Sequence, residues 1–184
     1  LEHNPIYTPA YHYRAITLSR IGKYDLALKD FDEAVGLRPD YTGLYFSRGV
    51  TYFLSQQFEK AIADFDKFLR FEPKEPDAYL NRGASYLFVG DTLSALKDYQ
   101  KAITLNSFEP EGYIRRSRIY YAQNRLDEAI ADLDNALDID TSNTFAYFNR
   151  ALMRYDKGEV KGALDDFEQV LRREPTNALT LYNR

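Results

Sequence analysis

A period of 34 residues runs through the chain and constrains its fold more than any other feature. Pro39 and Pro73 lie one period apart, and Pro175 falls three periods after Pro73. Ser107 and Thr141 fill the two slots between. Tyr11, Tyr45, Tyr79, Tyr113 and Tyr147 form a second column, and Arg14, Arg48, Arg82, Arg116, Arg150 and Arg184 a third. Ala27, Ala61, Ala95, Ala129 and Ala163 recur in step, as do Asp30, Asp64, Asp98, Asp132 and Asp166. A further column reads Phe31, Phe65, Tyr99, Leu133, Phe167. Fixed self-similarity of this length is the mark of a repeat architecture, in which each unit buries its apolar face only against its neighbours.

Each period reads as two helices. Tyr79, Leu80, Ala84, Tyr86, Leu87 and Val89 recur at helical rather than alternating spacing over Asp77–Val89. Pro76 and Pro110 stand at a first helical position, where a missing N–H costs nothing. Gly22, Gly90 and Gly158 end the first helices as left-handed residues, with Gln56 and Asn124 in the same slot of the other two repeats. Asn adopts that conformation more easily than Gln. The spacing predicts second helices over roughly 25–37, 59–71, 93–105, 127–139 and 161–173. Small residues at Ala15, Gly49, Gly83, Ser117 and Ala151, facing the Ala column, let paired backbones approach while the aromatic column fills the space beside them. Phe68 and Val170 interrupt a third small column (Ala34, Ala102, Ala136), where the spacing is expected to widen.

The Tyr–x2–Arg–(Gly/Ala/Ser) start, the central Gly, the Ala–x3–aromatic run and the closing Pro resemble the tetratricopeptide repeat. The resemblance covers nearly the whole chain. It divides into a lead-in at 1–7, repeats at 8–41, 42–75, 76–109, 110–143 and 144–177, and a truncated start of a sixth at 178–184. It implies an all-α, right-handed superhelical solenoid of antiparallel helix pairs, ten full helices with a short eleventh. It also implies a scaffold or adaptor whose first helices line a concave groove for a peptide or partner helix.

The family's groove positions fall here on Phe46, Phe53, Leu80, Leu87, Phe88, Ile114, Tyr121, Phe148, Leu152, Tyr155 and Tyr182. That wall is more apolar than a solvated face requires, and contiguous apolar surface marks interaction sites. The bland alternative is that some of these side chains, mostly Phe88 and Leu152, fold into helix–helix contacts. Arg115 and Arg118 stand within the wall, with Asn81, Asn149 and Asn183 at the repeat position of Arg115. Residues 110–125 hold four Arg and one Glu. Arg118 occupies a column that elsewhere reads Ile16, Val50, Ala84 and Leu152. A guanidinium there can take a carboxylate, and Asn can bond an extended backbone. The expected ligand has apolar anchors and at least one acidic group; the bland alternative pairs these arginines with Glu111 or neighbouring acids. The carboxylate clamp of co-chaperone members is incomplete. Asn81 and Arg115 match two of its positions, but Phe46, Val50 and Glu111 stand where Lys, Asn and Lys are needed.

No catalytic residue, metal ligand set or cofactor motif emerges, and no enzyme is expected. The chain has no Cys, which removes thiolate catalysis and zinc–cysteine sites. Phosphate-binding glycine loops, dinucleotide fingerprints and nucleophile elbows are lacking. No stretch is apolar enough for a membrane helix. A net charge of −4 argues against single-stranded RNA, the alternative that the groove aromatics would otherwise invite. Self-association through the apolar partial helix (Leu179, Leu181, Tyr182) is the other alternative. The Arg and Asp columns, 16 to 18 residues apart, read as a ladder of ion pairs between helices, partly exposed and weak. The six acids of Asp127–Asp140 read as a solvated outer face, and His3 and His12 as surface residues.

Overall fold

A computed structural model describes residues 8–176. Among the described residues there are ten α-helices and no strand. The chain divides into two compact units, 1–105 and 106–184. The first holds α1 (Thr8–Arg20), α2 (Tyr24–Leu37), α3 (Gly43–Leu54), α4 (Phe58–Phe71), α5 (Pro76–Phe88) and α6 (Thr92–Leu105). The second holds α7 (Pro110–Ala122), α8 (Leu126–Ile139), α9 (Thr144–Asp156) and α10 (Val160–Arg173). Second helices begin one residue earlier than the periodicity alone indicates. The short eleventh helix expected at 178–184 lies outside the described residues.

Within each unit, odd and even helices pair as hairpins, and each hairpin packs on the next through its second helix. The first helices end in one repeated geometry. Gly22, Gly90 and Gly158 take φ of +76°, +85° and +87°, and Gln56 and Asn124 take +61° and +58°. The amide that follows then reaches back to the last turn: Lys23 N to Leu18 O at 2.9 Å, Gln57 N to Tyr52 O at 2.8 Å, Arg125 N to Tyr120 O at 2.9 Å. This closure satisfies carbonyls that a helix end otherwise leaves open. Gln56 adopts a backbone that costs an L-residue about 1–2 kcal/mol, whereas glycine loses some of that advantage in chain entropy. Gln56→Gly is therefore expected to stabilise by about 0.5–1 kcal/mol, read as a raised urea midpoint at unchanged m-value. Asn124→Gly should gain less.

The Ala column is fully buried, as are Phe31, Phe65, Tyr99, Leu133 and Phe167 beside it. The close approach expected at the small column is present in α3 and α5. A Cβ on Gly49 would lie 2.9 Å from Phe65 Cε1, and one on Gly83 2.6 Å from Tyr99 Cε1.

The Arg and Asp columns do join the helices, but the energetic expectation needs correction. Each guanidinium grips its partner through two bonds: Arg14–Asp30 at 2.6 Å twice, Arg48–Asp64 at 2.7 and 2.8 Å, Arg116–Asp132 at 2.8 and 2.6 Å. Arg82–Asp98 and Arg150–Asp166 repeat the pattern. All five carboxylates are buried. Three arginines also reach back one repeat: Arg48 to Asp32 at 2.8 Å, Arg82 to Asp66 at 2.7 Å and Arg150 to Asp134 at 2.6 Å. Burial works against charge on Arg48 and Arg82, yet the paired carboxylates outweigh it and push both above the ordinary arginine value. Four of the five are desolvated pairs, not weak surface bridges; in the first, Asp30 is buried but Arg14 is 55% exposed. The tyrosine three residues before each arginine adds a ring contact, and Arg48, Arg82 and Arg116 have a second four residues after; Arg82 lies 5.4 Å from Tyr79 and 5.9 Å from Tyr86.

Two smaller expectations also change. The acidic run 127–140 is exposed at Asp127, Glu128 and Asp138, as a solvated face should be, but Asp132 is buried against Arg116, and Asp134, Asp127 and Glu128 pair with Arg150, Lys157 and Arg125. His12 is buried, not a surface residue. Its Nε2 lies 2.9 Å from Ser47 Oγ on α3, and Tyr41 meets its ring edge-on at 5.4 Å. Burial lowers its pKa from the ordinary histidine value.

Candidate functional site

In the first unit α3 lies beside both α1 and α5, and in the second Tyr121 of α7 bonds Asp156 at the end of α9. In the first unit, Phe46 is half-buried, its ring 5.9 Å from Phe65 and 5.2 Å from Phe68. Leu80 is buried in the core and drops out of the groove wall. In the second unit Ile114 is likewise buried, and Phe148 is half-buried with its ring 5.9 Å from Phe167. These four share one repeat position with His12. That position lies one helical turn before the small column, on the face that meets the second helix, so it is a packing column and not a wall. Phe88 makes the helix–helix contact that the bland alternative gave it, through Phe53 and Phe58, and is still 64% exposed. Leu87 is also exposed, and Leu152 is half-buried. Tyr182 and Asn183 lie outside the described residues, as do the residues on which self-association would rest.

Three phenylalanine rings of the first unit meet at one point, Phe88 exposed and Phe53 and Phe58 half-buried. The Phe58 ring stacks on Phe88 at 4.4 Å with planes 6° apart, and Phe53 meets both edge-on at 5.6 and 5.5 Å. Phe58 opens a second helix, so a reading confined to first helices misses it. The column that opens the second helices reads Tyr24, Phe58, Thr92, Leu126 and Val160, so nothing in the sequence alone singles Phe58 out.

Polar groups divide into those already engaged and one that is not. Arg115 Nε donates to Glu111 Oε1 at 2.6 Å, as the bland alternative expected. Asn81 and Asn149 donate to the carbonyls of Asp77 and Phe145, each at 2.7 Å, within their own helices. Arg118 is exposed and has no hydrogen bond or ion pair among the described residues. In the same unit Tyr121 donates to Asp156 Oδ2, linking α7 to α9. That bond, with some burial, raises the Tyr121 pKa. Tyr155 is 60% exposed on α9. This unit thus presents an exposed guanidinium unpaired among the described residues and two exposed phenol rings on α7 and α9.

Among the described residues no three of His, Cys, Asp and Glu are grouped as a metal site would need, and no helix is long and apolar enough to cross a membrane.

Comparison with known proteins agrees with the geometry. Family models described as tetratricopeptide repeats match residues 14–76, 76–108 and 145–177, and one described as TPR repeat matches 118–155. No curated protein matches in sequence. Similar solved structures include MamA, residue 41 to the end, from Desulfovibrio magneticus RS-1. It has a TM-score of 0.82 at 19% identity, covering 92% of this chain and 96% of that one. YrrB, described as a TPR protein with an unusual peptide-binding site, has a TM-score of 0.75 at 22% identity, with 94% and 89% covered. TTC0263, described as a thermophilic TPR protein in Thermus thermophilus, gives 0.71 at 18% identity, with 96% of each chain covered. These likenesses concern the fold.

Proposed function

The chain belongs to the tetratricopeptide-repeat family, and we propose from this that it is a protein–protein interaction scaffold that captures a peptide carrying apolar anchors and an acidic group. The observation that carries the reading is Arg118. Its guanidinium is exposed on α7, three residues before Tyr121, in a column that holds apolar or small residues in every other repeat. Repeat packing does not call for a charge there. Supporting it, the solved relative YrrB is described as having a peptide-binding site. The surface on α7 and α9 supplies the acid-binding end. Tyr121 and Tyr155 of the same unit supply ring surface for the apolar anchors.

Peptides selected from a random display library on the immobilised chain provide the test. They are expected to carry Asp or Glu beside aromatic or aliphatic residues. In calorimetry with such a peptide, Arg118→Ala should cost about 1–3 kcal/mol of affinity, the worth of a hydrogen bond to a charged group, with unfolding unchanged. Tyr121→Ala and Tyr155→Ala should weaken binding while leaving its salt dependence in place. Normal binding by Arg118→Ala, together with a lower melting temperature, would make the arginine structural and end this reading.

A further inference from the structure

The repeats differ in what covers the tyrosine that opens each first helix. In the second repeat, Lys67 Nζ lies 4.1 Å from the Tyr45 ring centroid. In the fifth, the Arg173 guanidinium lies 5.3 Å from the Tyr147 ring. Each ring also meets its own helix's arginine, Arg48 at 5.7 Å and Arg150 at 5.4 Å. Tyr113, in the fourth repeat, has that arginine too, with Arg116 at 5.9 Å. The residues that correspond to Lys67 and Arg173, however, are Asn135 and Ile139. The position that holds Arg70 in the second repeat and Arg172 in the fifth is here Asp138. So the fourth repeat has lost the covering cations and gained an acid in their place.

An open cavity of about 540 Å3 lies at this point, lined by Ser107, Phe108, Tyr113, Asn135, Asp138 and Ile139, all within the second unit. Phe108 is 84% exposed, in a turn slot that other repeats fill with Asp40, Lys74, Ser142 and Thr176. Asp138 has no hydrogen bond or ion pair among the described residues. Asn135 bonds only its own helix, at Ala131 O. Of the two other repeats, the third carries Lys101 at the Lys67 position, and the first, with Glu33, has its tyrosine buried.

We propose that this cavity receives a lysine or arginine side chain from a protein partner, which takes the place Lys67 and Arg173 hold in the sister repeats. The apolar stem would lie against Phe108 and Ile139, with the charged head over the Tyr113 ring and against the Asp138 carboxylate. Charge complementarity selects the occupant: an acid and two ring faces favour a cation and repel an anion. Tyr113 and Arg118 are five residues apart on α7, roughly 140° around the helix, so this surface is separate from the acid-binding one.

The probe is N-acetyl-arginine methylamide, with its neutral citrulline counterpart as control, titrated into the whole chain and followed by NMR. Arginine amide should give saturable, salt-sensitive shifts at Phe108 and Tyr113, with a dissociation constant about fivefold or more below that of citrulline amide. Asp138→Asn should remove most of that preference. Asn135→Lys gives the fourth repeat a cation of its own, at the position Lys67 holds in the second. It should abolish probe binding while leaving the unfolding midpoint unchanged or raised. Equal shifts from the two amides, or undiminished arginine binding in a folded Asn135→Lys variant, would overturn the proposal. Neither outcome bears on Arg118, whose test uses acidic peptides.

Discussion

Replacing Arg48 with methionine is expected to lower the unfolding free energy of the first unit by about 3–5 kcal/mol, because it strands a buried carboxylate without its counter-charge. Asp64 is the residue left behind, buried to 6% exposure between α3 and α4. Asp32, the second partner, is 61% exposed and water can take over its bond, so it adds little. Urea denaturation followed by circular dichroism measures the loss. The diagnostic comparison is the double variant Arg48→Met/Asp64→Leu, which removes both charges and keeps apolar bulk at the helix interface. It should recover most of the lost stability, since two matched apolar side chains avoid the desolvation that the ion pair must offset. A double variant as weak as the single one would mean that the bonds to Asp64 and Asp32 stabilise the hairpin beyond cancelling their own desolvation.

The second large effect concerns two glycines that look alike in sequence and sit in opposite surroundings. Gly83 in α5 and Gly36 in α2 are both helical. A methyl group on Gly83 would meet Tyr99 Cε1 at 2.6 Å and Cδ1 at 2.9 Å, inside contact distance of a ring that is 1% exposed and has nowhere to move. Gly83→Ala is expected to cost about 1–3 kcal/mol through overpacking. Nothing lies within 4 Å of the corresponding Cβ on Gly36. Gly36→Ala should therefore stabilise by about 0.5–1 kcal/mol, the ordinary helix preference for alanine over glycine. The two variants should shift the melting temperature in opposite directions. If Gly83→Ala were neutral, the close approach of α5 and α6 would have to be soft enough to open around one methyl group.

Repetition explains why so much of this fold could be read from the chain alone. One residue in one repeat is ambiguous, but Tyr11 through Tyr147 state the same local rule five times. Helix starts at Pro76 and Pro110 and left-handed stops from Gly22 to Gly158 depend on φ restrictions acting within a few residues, so they are legible locally. The Arg-to-Asp pairing was legible too, because a constant spacing of 16 residues carries each partner from one helix to the next. What that spacing does not carry is the local dielectric. Only the packed structure shows that Asp30, Asp64, Asp98, Asp132 and Asp166 are buried, and burial is what turns a weak surface bridge into a costly one to break.

The candidate surface was less legible, for a related reason. Family positions named Leu80, Ile114 and Arg118 as equals, yet the first two are buried and the third is exposed and unpaired among the described residues. Which side of a helix faces its neighbour depends on how two hairpins seat against each other, and a rotation of one residue, about 100°, moves a side chain from core to solvent. The stack of Phe58 on Phe88 joins residues 30 positions apart on helices of opposite kind, and no local pattern connects them. The vacant place beside Tyr113 needed both sources. Sequence alignment of the repeats identifies Asn135 and Ile139 as the counterparts of Lys67 and Arg173, while only the tertiary contacts show that those two cations cover a tyrosine ring. Local steric rules, repeated at a fixed interval, are thus enough to determine the elements and their order. Burial, and with it the strength of every charge and the availability of every side chain, is decided only when the elements meet.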